Sequence, residues 1–108
     1  MNSDYVVTRP NLNERIYEVV RQITFGSVAS YAEVSALVIG STPRLVGYAM
    51  ALSTPERDLP WHRVINSKGK ISIRSSGAGA EIQRRMLEEE GVRFNQKGAV
   101  DFACYGWL

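Results

Sequence analysis

Two side chains that could act in nucleophilic or acid–base chemistry each occur once. His62 is the only histidine and Cys104 the only cysteine in 108 residues. A cysteine and a histidine can form a nucleophile pair, but Cys104 lies in the apolar segment Phe102–Tyr105, where we expect a buried, inert thiol. His, Cys, Asp and Glu are not spaced as in a zinc site, and no recognised phosphate-binding glycine loop is present, so no metal or cofactor is predicted.

Positive charge is concentrated in the segment that contains His62. The chain has 13 Lys+Arg and 11 Asp+Glu, a net charge of +2. Residues 44–74 contain six of the bases and two of the acids, a local net charge of +4, while the segments on either side each carry −1. Ten of the bases are arginines, which stack on flat groups and bind phosphates in a forked geometry. On charge alone, a nucleic-acid partner and an ordinary solvated surface both remain open.

Length and composition predict one globular domain over residues 1–108. Hydrophobic residues make up 44% of the chain and charged residues 22%, as is typical of soluble proteins. The longest uncharged apolar runs are far shorter than the roughly 18 residues of a membrane span, and the N-terminus lacks a signal-peptide pattern. The single cysteine cannot form an internal disulfide. We therefore expect a protein of the cytoplasm (nucleoid-associated) or the nucleus, with no membrane partner.

Apolar spacing and cap residues predict three helices in the first half of the chain. Residues 11–23 have helical periodicity. Ser30 and Glu33 have the spacing of a capping box, which predicts a helix from there to about residue 39. A third helix is predicted over residues 43–52.

The second and third of these helices form a candidate helix-turn-helix. Gly40 suits a helix end, and Thr42 followed by Pro43 suits a helix start. Small residues on the outward face would let the third helix approach a groove closely. The residues predicted to face outward are Arg44, Gly47, Tyr48 and Ala51, and those predicted to pack inward are Leu45, Val46, Ala49, Met50 and Leu52.

The second half of the chain predicts a short hairpin and a last helix. Residues 61–65 and 71–73 are strand-like on either side of the turn-like segment 67–70, residues 75–79 suit a loop, and residues 80–90 suit a helix. The residues expected to pack inward are Ile82, Met86, Leu87, Phe102, Tyr105 and Trp107. The predicted fold is mainly α (α+β): a single domain with a winged-helix-like helix-turn-helix, a short hairpin and a C-terminal helix, preceded by a loose arm over residues 1–10.

The segment Pro60-Trp61-His62-Arg63-Val64 resembles the reactive motif Pro-Cys-His-Arg-Val of the O6-alkylguanine-DNA alkyltransferases. The resemblance covers about residues 11–91, nearly the whole of that family's DNA-binding domain. Further pieces of the family pattern occur in the same order: Ser30-Tyr31, Arg44-Leu45-Val46-Gly47, Ala49-Met50, Ser67-Lys68-Gly69 and Glu89-Glu90-Gly91.

Trp61 stands where these enzymes have the cysteine that accepts the alkyl group. Indole has no thiolate and its nitrogen has no lone pair available for attack, so this residue cannot accept an alkyl group. The exchange matches the alkyltransferase-like branch, which binds alkylated DNA without repairing it. The resemblance thus implies a non-enzymatic sensor that binds O6-alkylguanine in duplex DNA, flips the nucleotide into a pocket and hands the complex to nucleotide excision repair proteins. We expect it to act as a monomer.

The resemblance also implies roles for individual residues. Arg44 is similar to the family's arginine finger, which fills the gap left by the flipped base, and Tyr31 to the tyrosine that crowds its phosphate. The implied DNA-binding residues are Tyr31, Thr42, Pro43, Arg44, Gly47, Tyr48 and Ala51, with the helix in the minor groove. The implied lesion pocket consists of Tyr31, Pro60, Trp61, Val64, Arg74 and Ser75. The implied support of the motif is His62 and Arg63, with Glu90 as their charged partner.

Several alternatives remain open at the level of sequence. Arg44 could be a plain phosphate contact, Tyr31 a core aromatic residue and Arg63 a structural ion-pair residue. Ser53 stands where the enzymes have asparagine, which puts the bracing of that turn in doubt. The protein could instead be a sequence-specific helix-turn-helix regulator, an alkyltransferase that uses another nucleophile such as Cys104, or a hydrolase of the lesion.

Overall fold

The computed structural model describes residues 11–72 and 78–108. Within these ranges the chain is mainly helical with one small sheet, in agreement with the predicted fold class. The α-helices are α1 (Leu12–Val20), α2 (Tyr31–Ala36), α3 (Pro43–Leu52), α4 (Ala78–Glu89) and α5 (Phe102–Tyr105). The strands are β1 (Ala29–Ser30) and β2 (Val64–Ile65), and single turns of 3-10 helix cover Pro55–Arg57 and Trp61–Arg63.

Helix α1 begins where it was predicted and ends earlier. The side chain of Asn11 accepts a hydrogen bond from the amide of Glu14 at 2.9 Å and caps the helix. The helix stops at Val20 instead of continuing to Ile23, because the amides of Gln22 and Ile23 bond to carbonyls three residues back and tighten the chain into a turn. This turn places Ile23 in the core, where it is 1% exposed.

Helices α2 and α3 form the predicted helix-turn-helix. Both bonds of the capping box are present between Ser30 and Glu33. Helix α2 ends at Ala36 and not near residue 39, since the following amides again bond three residues back. Gly40 adopts the expected left-handed conformation, with φ of +89°, but it lies in the connecting turn. Thr42 caps α3 as predicted by accepting a bond from the amide of Leu45 at 3.1 Å.

The prediction for the two faces of α3 was partly wrong. Arg44, Tyr48 and Ala51 are exposed as expected, but Gly47 is buried and Leu52 is 66% exposed. The buried residues of α3 are Val46, Gly47, Ala49 and Met50. At 100° per residue Gly47 falls on the edge of this buried arc, whereas Leu52 falls well outside it.

The short sheet is parallel, so the predicted hairpin was wrong. Ala29 pairs with Val64 and Ser30 with Ile65, while Lys70, the last residue of the predicted turn, forms an antiparallel bridge with Ala99 in the tail. The turn itself forms, because the amide of residue 66 bonds to the carbonyl of residue 70 at 3.0 Å. Consecutive burial of the two residues of β2 is typical of a strand covered on both faces, which is how parallel strands occur.

Helix α4 begins at residue 78, two positions before the predicted start, and presents a different residue to the interior. Ile82 was expected to pack inward but is 51% exposed, and the buried position belongs to Gln83, which is 7% exposed. Its amide nitrogen donates to the carbonyls of His62 and Val64, at 3.2 and 3.0 Å. A polar side chain is tolerated there because both hydrogens of its amide group are satisfied.

The sheet separates two hydrophobic cores. The first lies among α1, α2 and α3 and includes Ala29 and Val64, and the second includes Val28 and Ile65 together with Leu87 of α4. The aromatic residues of the tail pack as predicted, with Phe102 and Tyr105 against the second core and Trp107 against the first. No described helix is long and apolar enough to cross a membrane.

Candidate functional site

The carboxylate of Glu90 is the centre of a buried polar cluster. It follows α4 and is 8% exposed. Its Oε2 atom lies 2.6 Å from His62 Nε2 and 2.8 Å from Arg63 Nη2. Its Oε1 atom accepts bonds from Arg63 Nε at 3.0 Å and from the amide of Gly26 at 2.8 Å. The partner expected from the sequence therefore contacts both basic residues of the motif and also the turn after α1.

The electrostatics of Glu90 follow from these contacts. Burial raises the pKa of its carboxyl group, but hydrogen bonds from Arg63, His62 and the Gly26 amide outweigh burial and lower the pKa to about 2. The group is consequently an anion at neutral pH, and its hydrogen bonds tie the end of α4 to the motif and to the first half of the chain.

Arg63 extends this cluster toward the surface. Its Nη1 atom donates to the carbonyl of Ile23 at 2.8 Å, and its guanidinium lies 5.7 Å from the ring centre of the exposed Phe25. Because every one of these contacts is internal to the protein, the geometry favours the structural reading of Arg63.

His62 has one satisfied and one unsatisfied ring nitrogen. The residue is 7% exposed, and its Nδ1 atom has no hydrogen-bond partner among the residues that are described. The ring of Trp61 stands edge-on to it, with centroids 6.1 Å apart and an interplanar angle of 84°. His62 thus braces the motif through Glu90 on one side and contacts Trp61 on the other.

Trp61 is half-buried and forms one wall of a cavity of about 480 Å³. The described residues that line the cavity are Met50, Ser53, Thr54, Pro55, Asp58, Leu59, Trp61 and Met86. The wall is largely apolar, and the polar groups come from the loop between α3 and the motif. A cavity with these properties suits a ligand that has an apolar part and a few polar groups.

The other residues predicted for the pocket are placed differently from Trp61. Pro60 is half-buried immediately before it, and Tyr31 packs against the first core at the start of α2. Val64 was predicted to line the pocket but lies in the first core, 1% exposed; as a residue of β2 it points into the packed interior. Arg74 and Ser75 lie outside the described residues, as do the predicted arm over residues 1–10 and most of the loop over residues 75–79.

The loop that forms the far wall of the cavity is fastened to α1. Arg57 pairs with Glu14 at 2.6 Å, and its guanidinium lies 4.8 Å from the ring centre of Tyr17. Tyr17 in turn donates from its hydroxyl to the carbonyl of Ala49 at 2.8 Å. These contacts fasten the loop to α1. At the position where the enzymes have asparagine, the hydroxyl of Ser53 donates to the carbonyl of Met50 at 2.9 Å.

The exposed face of α3 presents a second feature near its first turn. Thr42, Pro43 and Arg44 are all exposed there, and Arg44 makes no ion pair with any described residue. Tyr48 continues the same face and is 53% exposed. An unpaired arginine beside a helix N-terminus is a favourable arrangement for binding phosphate.

The prediction for Cys104 was wrong. The thiol is exposed and lies on α5, with Asp101 Oδ2 3.7 Å from its sulfur atom. Only the two aromatic residues of this four-residue helix pack inward, which leaves the cysteine on the outer side.

Sequence reasoning missed three residues that build the site. Gln83 fixes the backbone of the motif, Arg57 anchors the cavity loop, and Asp58 lines the cavity with a left-handed backbone. The loop's mixture of proline and charge was visible in the sequence, but the partners of its residues lie far away in the chain. A polar residue at a helical position otherwise expected to be apolar was the available signal for Gln83.

Comparison with known proteins gives one consistent result. The family model described as 6-O-methylguanine DNA methyltransferase, DNA binding domain, matches residues 11–92. The chain is 46% identical over 83 residues to alkyltransferase-like protein 1 of Schizosaccharomyces pombe, covering 76% of this chain and 77% of that protein. It is 35% identical over 94 residues to a DNA base-flipping protein of Vibrio parahaemolyticus, covering 86% of this chain and 92% of that protein.

A solved structure agrees with these sequence matches. The crystal structure of S. pombe Atl1 in complex with damaged DNA containing O6-carboxymethylguanine superposes with a TM-score of 0.78 and 38% identity, over 90% of this chain and 94% of that chain.

Proposed function

The chain belongs to the family of 6-O-methylguanine DNA methyltransferase DNA-binding domains, and on this basis we propose that it binds duplex DNA containing O6-alkylguanine without removing the alkyl group. In this proposal the damaged nucleotide rotates out of the duplex and enters the cavity beside Trp61. The observation that carries the proposal is that the indole of Trp61 borders the cavity; on the resemblance of the motif, this is the position at which the family's enzymes have a cysteine.

The cluster around Glu90 supports binding rather than catalysis. A histidine held by a carboxylate could help to activate a neighbouring thiol, but Trp61, which precedes His62, has no thiol and no nitrogen lone pair available for attack. Cys104 is a poor substitute, because α5 packs against the second core whereas Trp61 packs against the first. In this proposal the contacts of His62 and Arg63 with Glu90 hold Trp61, the wall of the cavity, in place.

The cavity offers a physical basis for preferring alkylated over plain guanine. Its apolar wall of Trp61, Met50, Leu59 and Met86 can bury an alkyl group, which contributes roughly 0.8 kcal/mol per methylene. On the resemblance, Arg74 and Ser75 complete this pocket.

Helix α3 is the proposed contact with the duplex. Arg44 is exposed and unpaired among the described residues, so it is available to enter the stack and occupy the space that the rotated base leaves. Thr42, Pro43, Tyr48 and Ala51 lie on the same exposed surface, and Tyr31 is half-buried at the start of α2. We place α3 in the minor groove, where binding depends mainly on phosphates and little on sequence.

The last part of the proposal concerns the fate of the complex. Because the bound lesion is not repaired, another protein has to remove it. We propose that nucleotide excision repair proteins recognise the distorted duplex together with the bound protein.

Binding to two duplexes that differ by one O6-methyl group tests the function. We expect tighter binding to the O6-methylguanine duplex, and no label on the protein or in solution when the methyl group is radioactive. Equal affinity for both duplexes would contradict lesion recognition, transferred or released label would show an enzyme, and a strong preference for one undamaged sequence would show a regulator.

Substitution of Arg44 tests the role of α3. Stacking of an aromatic side chain on a base contributes roughly 1–3 kcal/mol. A guanidinium is also planar and stacks on flat groups, so Arg44→Ala should weaken binding to the lesion duplex by about fivefold or more. Arg85→Ala is the matched control, because Arg85 is an exposed arginine on α4. Equal losses of affinity in both variants would mean that the loss reflects only the removal of a positive charge. An unchanged affinity in Arg44→Ala would exclude the finger role.

A further inference from the structure

Two turns of the chain, which we call the paired turns, share one sequence pattern and one pattern of hydrogen bonds. Residues 66–70 are Asn-Ser-Lys-Gly-Lys, and residues 95–99 are Asn-Gln-Lys-Gly-Ala. In each turn the amide of the first residue donates to the carbonyl of the fifth, at 3.0 and 2.9 Å, and the glycine amide donates to the carbonyl of the first, at 2.9 Å in both. The two glycines have φ of +80° and +78°. The proposed function uses neither turn.

The asparagine side chain of each turn orders the backbone of the lysine at its tip. Asn66 Oδ1 accepts hydrogen bonds from the amides of Lys68 and Lys70, at 2.9 and 3.0 Å. Asn95 Oδ1 accepts from the amide of Lys97 at 2.8 Å and from the amide two residues further on at 3.0 Å. Because the backbone of each tip is already ordered, binding through its lysine costs little backbone entropy.

The paired turns lie against each other and contain every lysine of the chain. The amide of Val100, which follows the second turn, donates to the carbonyl of Gly69 in the first turn at 2.8 Å. Lys68, Lys70 and Lys97 are the three lysines of the sequence, and all of them are exposed. The two turns thus present three positive charges on neighbouring segments.

No described residue neutralises these charges. The paired turns contain no acid, and no ion pair within the described part of the chain includes a lysine. The first carboxylate after the second turn belongs to Asp101, which accepts a hydrogen bond from the amide of Ala103 and caps α5. The ammonium groups are therefore available to an anionic partner.

The parallel sheet places the first of the paired turns at the edge where the helix-turn-helix begins. Ser30 and Ile65 are paired in parallel, so β1 and β2 leave the sheet at the same edge. The chain continues there from β1 into α2 at Tyr31 and from β2 into the turn at Asn66. The positive turns and the start of the helix-turn-helix consequently lie on one side of the sheet.

We propose that the paired turns bind the sugar-phosphate backbone of the duplex as a second contact, which raises the affinity for damaged and intact DNA alike. This inference rests on the proposed function, in which α3 supplies the first contact. An ammonium group is a compact point charge with three rotatable donors, so it suits a phosphate backbone whose sequence is not read. Each phosphate that a lysine neutralises releases counterions and makes binding depend more steeply on salt.

The salt dependence of binding tests the proposal. Association constants are measured for the wild type and the double variant Lys68→Gln, Lys97→Gln, on the guanine and the O6-methylguanine duplexes, from about 50 to about 200 mM salt. The variant removes both tip charges and keeps the backbone amides that bond to the asparagines. We expect the slope of log K against log salt to be smaller by about 1.8 on both duplexes, at about 0.9 for each phosphate contact. The factor by which affinity falls over this salt range should then be about twelvefold smaller for the variant than for the wild type.

Two further double variants serve as controls. Lys68→Arg, Lys97→Arg keeps both charges and should retain the wild-type slope. Arg21→Gln, Arg85→Gln removes two exposed arginines outside the paired turns, at the end of α1 and on α4, and should also retain it. Urea unfolding of each variant checks that it is folded.

The outcomes separate this inference from the proposed function. The role of the paired turns would be overturned by an unchanged slope in the glutamine variant of the lysines, by an equal fall in either control, or by a loss of affinity confined to the O6-methylguanine duplex. A wild-type preference for the O6-methylguanine duplex would keep the proposed function in each of these cases. Equal affinity of the wild type for the two duplexes would overturn lesion recognition, and the slopes on the guanine duplex would still decide the role of the lysines.

Discussion

Replacing Glu90 with glutamine should destabilise the whole domain, because one buried carboxylate holds three separate segments together. In the variant Glu90→Gln the side-chain amide keeps one oxygen that can accept a hydrogen bond. Its NH₂ group, however, points at atoms that are themselves donors. Arg63 then loses a paired acceptor in a place where its side chain is only 15% exposed, and leaving one member of a buried ion pair uncompensated is strongly unfavourable.

The magnitude follows from the pKa of Glu90. Its shift from the ordinary value of 4.5 to about 2 corresponds to about 3 kcal/mol of stabilisation of the charged form in the folded state. This value lies at the lower end of the range for breaking a buried ion pair. At pH 7 the free energy of unfolding of Glu90→Gln should therefore be about 3 kcal/mol lower than that of the wild type.

The pH dependence makes the prediction specific. Since the pKa is lower in the folded than in the unfolded protein, the stabilisation is complete above about pH 4.5 and is lost as the pH falls toward 2. Urea unfolding of the two proteins at a series of pH values should show a difference that is constant near neutrality and shrinks in this acidic window.

A matched control is available on α4, two residues before Glu90. Glu88 pairs with Arg84 at 3.1 Å, and the side chains of both residues are about half exposed, so Glu88→Gln should change stability by less than about 0.5 kcal/mol. The reasoning is refuted if Glu90→Gln is no less stable than Glu88→Gln, or if the difference between wild type and Glu90→Gln persists unchanged at pH 2.

Two further substitutions test the packing around the site, each by urea unfolding. Gly69→Ala should cost more than about 2 kcal/mol, because Gly69 has φ of +80° and a Cβ atom there would collide with the carbonyl oxygen of Val100; Gly98→Ala, at φ of +78° in open space, should cost only about 1 kcal/mol, and equal losses would contradict the collision. Tyr17→Phe should cost about 1–2 kcal/mol by leaving the buried carbonyl of Ala49 without its hydrogen bond, and a neutral effect would mean that another donor replaces the hydroxyl.

Local signals predicted the starts of the helices well and their ends poorly. Asn11, Ser30 and Thr42 each cap a helix with a side-chain bond to the amide three residues on, so a few adjacent residues determine where the helix begins. The ends depend on whether the last turn tightens to bring a distant apolar residue such as Ile23 into the core. Tertiary packing determines whether the last turn tightens, and the periodicity of apolar residues in the sequence does not predict it.

Long-range partners account for most of what the sequence left out of the site. The family resemblance located the motif and placed Glu90 beside it, but the partners of β2 and Gln83 depend on how separate segments dock. The prediction of a hairpin was wrong because a turn between two apolar segments gives the same sequence pattern whether or not the two segments pair with each other. Asp58 was overlooked because a charged residue in a loop has no sequence signal for the side on which it will lie.

The parallel pairing of β1 with β2 also affects the order in which the helix-turn-helix and the cavity fold. Helices α2 and α3 are neighbours in the chain and can dock with little loss of chain entropy. Ala29 and Val64 must close a loop that contains both helices, a slower and entropically more demanding step. We therefore expect the surface proposed to bind the DNA backbone to form before the cavity does. On the proposed function, a partly folded chain would then bind DNA before it could distinguish damaged from intact guanine.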